Sequence, residues 1–341
     1  MNNLDRKRGH IQVALEQEPT QSCFDSIRIR HRALPNVNLC EINLETDFFG
    51  KSASAPIFVS SMTGGPSESE RINRNLAEAC NEMGVAMGVG SQRISMEEGS
   101  LAGLNWSVRN AIGDRPLFAN FGAVNLPQLG AVQDLSRILD SIEADALILH
   151  LNPMQEIFQP RGDTKWKQIA DHIAQVCAWS PVPVVVKEVG FGLDEQSAAD
   201  LISAGVSVLD VAGRGGTRFA DIEIALNADI RETLSTDHVF DNWGYTTVES
   251  LSIIRRAFPT TTCWASGGIR NGLDVAKSMC LGASAVGIAG KLLRPATEST
   301  EAVVTVLKQF MSELRISCFG VGVTSSMDLS KTHMLDRADA N

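Results

Sequence analysis

The sequence predicts an α/β protein built as a single (β/α)8 barrel, and three observations predict it. Short β-rich runs recur about every 30 residues, helix-period stretches stand between them, and glycine-rich turns follow the last two runs. The runs are 56–63, 86–93, 117–123, 146–152, 182–190, 208–213, 262–268 and 285–290. Between the first two, Ile72, Leu76, Ala79, Cys80 and Met83 share one helical face behind the capping-box pattern Ser67-x-x-Glu70. Asp194 opens and Gly205 closes another helix, whose apolar side is Ala198, Leu201 and Ile202, while Asn271 and Gly282 bracket a third. Strict alternation of strand and helix means a parallel sheet, and eight units favour closure over an open doubly wound sheet. Residues 1–55 form an N-terminal extension, 56–323 the barrel, and 324–341 a polar tail expected to fray at its end. The long connection 214–246 stands before the helix that follows strand six.

Composition narrows the function. Of 341 residues 44% are hydrophobic and 21% charged, and no apolar run approaches the roughly 18 residues of a membrane span. The first ten residues carry basic groups with no apolar run behind them, so a soluble, cytoplasmic protein is expected. Seven cysteines, an odd number without a C-x-x-C pair, read as reduced and mostly buried thiols. A formal charge of −10 argues against nucleic acid as a partner, since phosphate polymers need broad basic surfaces. A small anion needs only a local cluster, and Arg6, Lys7, Arg8 and His10 supply one unless they are simply a solvated terminus.

Residues two apart on a strand share a face, which tests where polar groups collect. In strand two Ser91 and Arg93 would share a face with Met87 and Val89; in strand three Asn120 shares one with Phe118; in strand four His150 and Asn152 share one with Ile148. Lys187 ends the apolar run 184–186, and Thr63 ends the first strand. Five strands that end in polar residues point to a site on the C-terminal rim, where barrel enzymes keep theirs. The segments Ser266-Gly267-Gly268-Ile269-Arg270 and Gly287-Ile288-Ala289-Gly290-Lys291, after strands seven and eight, supply bare N–H groups and a helix start for a phosphate. Neither is a dinucleotide fingerprint or a P-loop.

These segments, with Arg6-Lys7-x-x-His10-Ile11, Met62-Thr63-Gly64-Gly65, Gly90-Ser91-Gln92-Arg93, His150-Leu151-Asn152-Pro153-Met154-Gln155-Glu156, Lys187-Glu188-Val189-Gly190 and Gly213-Arg214-Gly215-Gly216-Thr217, resemble the FMN-dependent type 2 isopentenyl-diphosphate isomerases. The likeness runs nearly end to end. It implies FMN over the barrel mouth, touched by Met62, Thr63, Ser91, Asn120, Lys187 and Thr217, with its phosphate at Gly268, Arg270, Ala289 and Gly290. It implies a small diphosphate substrate held by Arg6, Lys7, His10 and Arg93, a pocket lined by His150, Asn152 and Gln155, and Mg²⁺ on Glu156. The implied reaction is a 1,3-proton transposition between isopentenyl and dimethylallyl diphosphate on reduced flavin, in isoprenoid biosynthesis, with NADPH as reductant. His150, Gln155 and Lys187 would be its catalytic side chains and the assembly a homotetramer or homo-octamer. Gln155 cannot titrate, so it orients or relays a proton.

Trp243-Gly244-Tyr245-Thr246 and Lys291 depart from the family pattern, which has an aliphatic residue and proline after the Trp-Gly and commonly proline in place of Lys291. Glu223 matches an acidic family position and reads equally as a proton relay or a solvated carboxylate, while His31, His172, His238 and His333 read as surface residues. Two enzyme rivals lack their chemistry here. An FMN-dependent 2-hydroxy-acid oxidoreductase needs a histidine base beside the glycine pair, where Ser266 stands, and a barrel nucleotide dehydrogenase needs a cysteine within 213–217. A non-enzymatic flavin-binding protein would not need Arg6, Lys7, His10, Gln155 and Glu156 together.

Overall fold

The computed structural model describes residues 3–17, 22–62, 67–93, 105–227, 230, 240, 242–332 and 334–335, without the side chains of 3–8, 67–68 and 334–335. Eight parallel strands close into a barrel in chain order: β1 (Ile57–Val59), β2 (Ala86–Gly88), β3 (Leu117–Gly122), β4 (Ala146–Leu151), β5 (Val184–Glu188), β6 (Val208–Asp210), β7 (Cys263–Ala265) and β8 (Ala285–Ile288). β8 pairs with β1 through Val286↔Ile57, Gly287↔Phe58 and Ile288↔Val59, so the sheet has no free edge. Each strand lies within the run the sequence assigns to it but is shorter, because the polar C-terminal ends leave the ladder to form the rim loops.

Alternation along the strands makes two apolar layers. Outward residues such as Val59, Met87, Leu147, Val186 and Ile288 meet the helices, while Phe58, Phe118, Ile148, Val185 and Trp264 fill the barrel. The alternation test fails for strand two. β2 ends at Gly88, and Met87 and Val89 belong to the outer layer, so Ser91 and Arg93 reach the rim through the loop and not through a shared strand face. Gln92 fixes that loop: its N–H donates to Asn120 O at 2.9 Å and its Oε1 accepts from Asn120 N–H at 3.2 Å.

The N-terminal extension closes the barrel floor. Residues Thr46–Phe48 and Lys51–Ala53 form a hairpin whose turn carries Phe49 and Gly50 at positive φ. Phe48 and Phe49 enter the barrel and pack at ring-centroid distances of 5.5 and 5.7 Å from Trp264. Lys51 adds an ion pair to Asp145 at 2.7 Å. The tail is tied down further than its polarity suggests: Ser326 N–H donates to Asn43 O, Leu329 is fully buried, and Met334–Leu335 pairs with Arg28–Ile29. A polar segment orders here because its backbone bonds are met by the extension.

Helix α1 (Asn3–Glu16) carries Arg6, Lys7 and His10 and packs on α8 (Phe219–Leu226), which gives the long connection a helix of its own. A Cβ on Gly9 would sit 2.8 Å from Leu226, so glycine permits this close approach. Gln17 and Arg218 bond reciprocally, Gln17 Nε2 to Arg218 O at 3.0 Å and Arg218 N–H to Gln17 Oε1 at 3.1 Å. The caps foreseen at Asp194 and Asn271 form, each accepting from the backbone N–H three residues on. α2 (Ser67–Met83) starts at the foreseen residue, though the side chain of Ser67 lies outside the described set.

All seven cysteines are free; Cys80, Cys263, Cys280 and Cys318 are buried, Cys23 and Cys177 half-buried, and Cys40 exposed. His31 is exposed and His172 half-buried, while His238 and His333 lie outside the described residues. No described helix is long and apolar enough to cross a membrane.

Candidate active site

The site is assembled at the C-terminal ends of the strands. Asn120 and His150 both face the barrel axis, and His150 Nδ1 lies 2.8 Å from Asn120 Oδ1. Asn120 Nδ2 donates to Val89 O at 3.1 Å, which fixes the amide and makes its oxygen the acceptor from His150 Nδ1–H. In the neutral ring the proton then sits on Nδ1, and Nε2 carries the lone pair.

Beyond β4 the chain turns at Asn152 into the short helix α5 (Pro153–Phe158), with proline at its first position. Gln155 Nε2 donates to Glu223 Oε1 at 2.9 Å, and His10 Nε2 lies 3.1 Å from the same oxygen. Glu223 is fully buried on α8. Its burial excludes the reading of Glu223 as a solvated carboxylate. Asn152 Nδ2 donates to Glu156 Oε1 at 2.8 Å, while Glu156 Oε2 accepts from Asp163 N–H at 2.8 Å. Asn152 Oδ1 is buried without a hydrogen-bond partner, an oxygen ready to accept from a ligand. Arg93 approaches Asp163 at 3.9 Å on the rim. Arg6 and Lys7 lie on α1, with side chains outside the described residues, and Thr63 is outside them altogether.

Lys187 is buried and faces the mouth from β5, and its Nζ donates to Glu188 O at 2.7 Å. In register beside it on β6 is Asp210, almost wholly buried, which accepts from Ser266 Oγ at 2.8 and 3.0 Å. Burial pushes the Asp210 carboxyl up, opposed by the Lys187 charge and the Ser266 hydroxyl. Glu188 Oε2 accepts from the N–H groups of Val189, Gly190 and Phe191 and so holds the loop after β5. Burial nonetheless pushes its carboxyl from 4.5 to about 7.

That shift has a sign. Between 4.5 and about 7 the folded protein binds more protons at Glu188 than the unfolded chain, so this group makes stability fall as pH rises through the window. Glu188→Gln is expected to flatten the decline in melting temperature between pH 5 and 7. An unchanged slope would show that Glu188 titrates normally.

The glycine-rich turns converge opposite these residues. Gly267 and Gly268 have φ +93° and +75°, and a Cβ on Gly267 would lie 2.1 Å from Gly213 O. A Cβ on Gly216 would lie 2.7 Å from Gly268 N, so the loops after β6 and β7 pack backbone to backbone. After β8, Ala289 opens helix α11 (Gly290–Glu298) with no side-chain cap, and Thr217 Oγ1 lies 3.6 Å from where a Cβ on Gly290 would be. Uncapped N–H groups at a helix start form an anion cradle. Lys291 sits in the first turn of that helix, where its cation adds to the cradle's field. Met62 and Ser91 are half-buried on the same rim, and Ser61 Oγ is buried there without a partner.

The segment that departs from the family pattern is anchored: Gly244 (φ +84°) packs against Phe191, and Tyr245 N–H donates to Phe191 O at 2.8 Å. The sequence reading missed Asp210 and Glu188. Alternation would have found Asp210, because it shares its face with the inward Val208 as His150 does with Ile148. Nothing in the sequence singles out Glu188, whose role depends on three N–H groups of a folded turn. Among the described residues no three His, Cys, Asp or Glu side chains form a metal-holding group.

The closed barrel, with glycine-rich turns packed together after β6 and β7, an uncapped helix start after β8 and a lysine at the mouth, has the architecture of the flavin-barrel class. Residues 11–107 and 137–336 match the family described as FMN-dependent dehydrogenase, and the chain belongs to it. A solved mandelate oxidase variant, 18% identical, superposes with a TM-score of 0.67 over 99% of this chain and 100% of that one, a likeness of fold. Within that class the similarity is much greater to proteins named isopentenyl-diphosphate delta-isomerase. Those of Stutzerimonas stutzeri and Rickettsia prowazekii are 41% and 39% identical, over 97% and 98% of both chains. That of Pseudescherichia vulneris is 43% identical over 96% of this chain and 95% of its own. The chain is a member of the isopentenyl-diphosphate delta-isomerase family.

Proposed function

We propose that the chain interconverts isopentenyl and dimethylallyl diphosphate by a 1,3-proton transposition, as its membership of that family and the rim geometry both support. The carrying observation is the pairing of two polar lines, Asn120 with His150 and His10–Glu223–Gln155, on one rim with an uncapped anion cradle. The oxidoreductase alternative is disfavoured, because the place of its histidine base is held by Ser266, whose hydroxyl is committed to Asp210.

The cradle of Gly268, Ala289 and Gly290 suits the FMN phosphate, with Arg270 at its edge, and the orphaned Ser61 Oγ, with Met62, Thr63, Ser91, Asn120, Lys187 and Thr217, suits the rest of the flavin. Reduced FMN, when bound, would supply acid–base chemistry at the substrate, where one carbon gains a proton and another loses one. The protein side chains orient the rest. Lys187 places positive charge beside the flavin and stabilises its anionic reduced form. Arg6, Lys7, His10 and Arg93 hold the substrate diphosphate, with fork contacts from the arginines. Asn152 and His150 line the pocket, and His150 Nε2 accepts from a group at the mouth. Gln155 holds a proton-bearing amide against the Glu223 carboxylate and so orients a relay without itself titrating.

Glu156 with the orphaned Asn152 Oδ1 gives two oxygen ligands, a donor set suited to Mg²⁺ that keeps waters and substrate phosphates in its remaining positions. NADPH is the proposed reductant, a cytoplasmic homotetramer or homo-octamer the proposed state. The purified protein with FMN, Mg²⁺ and NADPH under anaerobic conditions is expected to interconvert the two five-carbon diphosphates. No exchange with flavin bound and reduced would overturn the assignment. Glu156→Gln is expected to weaken Mg²⁺ dependence while flavin stays bound; loss of flavin instead would move Glu156 out of the metal site.

A further inference from the structure

The guanidinium of Arg270, two residues after Gly268, is held from two directions. Arg270 N–H and Nε both donate to Asp274 Oδ2, at 3.1 and 3.3 Å, and Asp274 is buried at the start of the same helix, α10 (Gly272–Cys280). Arg270 Nη2 donates to Asp25 Oδ1 at 2.6 Å, a carboxylate from far away in sequence. The Nε–Nη2 side of the guanidinium is thereby engaged by two carboxylates. Its other donors, the Nη1 pair and the second Nη2 hydrogen, point away from that side and stay available to an anion.

Asp25 is a well-placed partner despite being half exposed, because the turn that carries it is pinned. The turn Cys23–Ser26 is capped by Ser22, whose Oγ accepts from Phe24 N–H at 3.1 Å. Phe24 is fully buried, and its carbonyl accepts from the buried Lys277 Nζ at 2.8 Å. Cys23 Sγ lies 3.6 Å from where a Cβ on Gly215 would be, so the turn also abuts the glycine loop after β6. The carboxylate is therefore delivered by a fixed backbone, and little side-chain entropy opposes its bond to Arg270.

We propose that Asp25 is a positioning residue for the cofactor phosphate: with Asp274 it fixes the Arg270 guanidinium so that its free donors face the cradle of Gly268, Ala289 and Gly290. The assignment rests on reading that cradle as the flavin-phosphate site. Asp25 itself touches no ligand. Its negative charge opposes a nearby phosphate, and orientation of the arginine outweighs this because a misdirected guanidinium leaves the phosphate without its fork contacts.

The test uses the full chain stripped of flavin and titrated with FMN and with riboflavin, which lacks the phosphate, following quenching of flavin fluorescence. Asp25→Asn is expected to weaken FMN about 5-fold, the size of an exposed but oriented ion pair. It is expected to leave riboflavin binding and the melting temperature of the stripped protein unchanged, and Asp25→Glu to recover part of the loss. FMN binding that is unchanged or tighter in Asp25→Asn, or an equal loss for both flavins, would overturn the proposal. Arg270→Met separates the two readings. If it spares FMN, the cradle reading itself fails; if it weakens FMN while Asp25→Asn does not, only the positioning role fails.

Discussion

Glu223→Gln is expected to lower kcat by about 10²- to 10³-fold, the lower part of the range over which positioned acid–base groups act. Glu223 Oε1 lies within reach of both Gln155 Nε2 and His10 Nε2, so removing its charge weakens the link between helices α1 and α5 while an amide oxygen remains to accept. The substitution keeps the shape of a side chain that has no exposed surface, and the loss therefore reports the charge. Flavin content is expected to stay at the wild-type level, because none of the residues assigned to the cofactor touches Glu223 in the described contacts. Steady-state kinetics beside flavin absorbance make the check. A kcat within a few-fold of wild type would leave Glu223 as a structural anchor for α1 alone.

Trp264→Ala is expected to destabilise the fold by about 3–5 kcal/mol, the range for removing a buried large aromatic. Trp264 is 3% exposed and touches Phe48, Phe49, Phe58 and Phe118 at centroid distances of 5.5, 5.7, 4.9 and 5.4 Å. The indole joins strand β7 to the hairpin that plugs the floor, so its loss opens a cavity walled by rings that cannot all move in. Urea unfolding measures the change, and a loss below about 1 kcal/mol would show that the hairpin collapses into the space. The same hairpin lies opposite the catalytic rim, which makes the substitution a test of stability at the face that barrels use for stability.

The contrast between these two residues marks what could be read from the chain. Trp264 was legible as part of a β-rich run, and its inward direction follows from alternation once the strand is placed. Glu223 sits in the segment that looked like a loop of 33 residues, 214–246. Its importance follows only from α8 packing under α1, an arrangement between elements more than 200 positions apart. Strand two shows the converse error. Alternation was extended past Gly88 into residues that no longer pair, so the shared face assigned to Ser91 and Arg93 dissolved once the ladder ended. The C-terminal tail shows a related dependence: Ser326 and Met334–Leu335 are held by backbone groups at Asn43, Arg28 and Ile29 that arrive from the other end of the chain, while the end expected to fray, 336–341, lies outside the described residues.

The sequence by itself determined the barrel, the count and order of its strands, the glycine-rich turns after strands seven and eight, and the family. These depend on local periods and on glycines whose positive φ admits few other residues, and such signals act over a handful of neighbouring positions. Only the tertiary structure decided that Asn120 sets the tautomer of His150, that Glu223 joins His10 to Gln155, that Asp210 lies beside Lys187, and that Asp25 reaches Arg270. Each is a contact between side chains that the closed barrel brings together from distant segments. Its geometry is a property of packing, which no local pattern encodes.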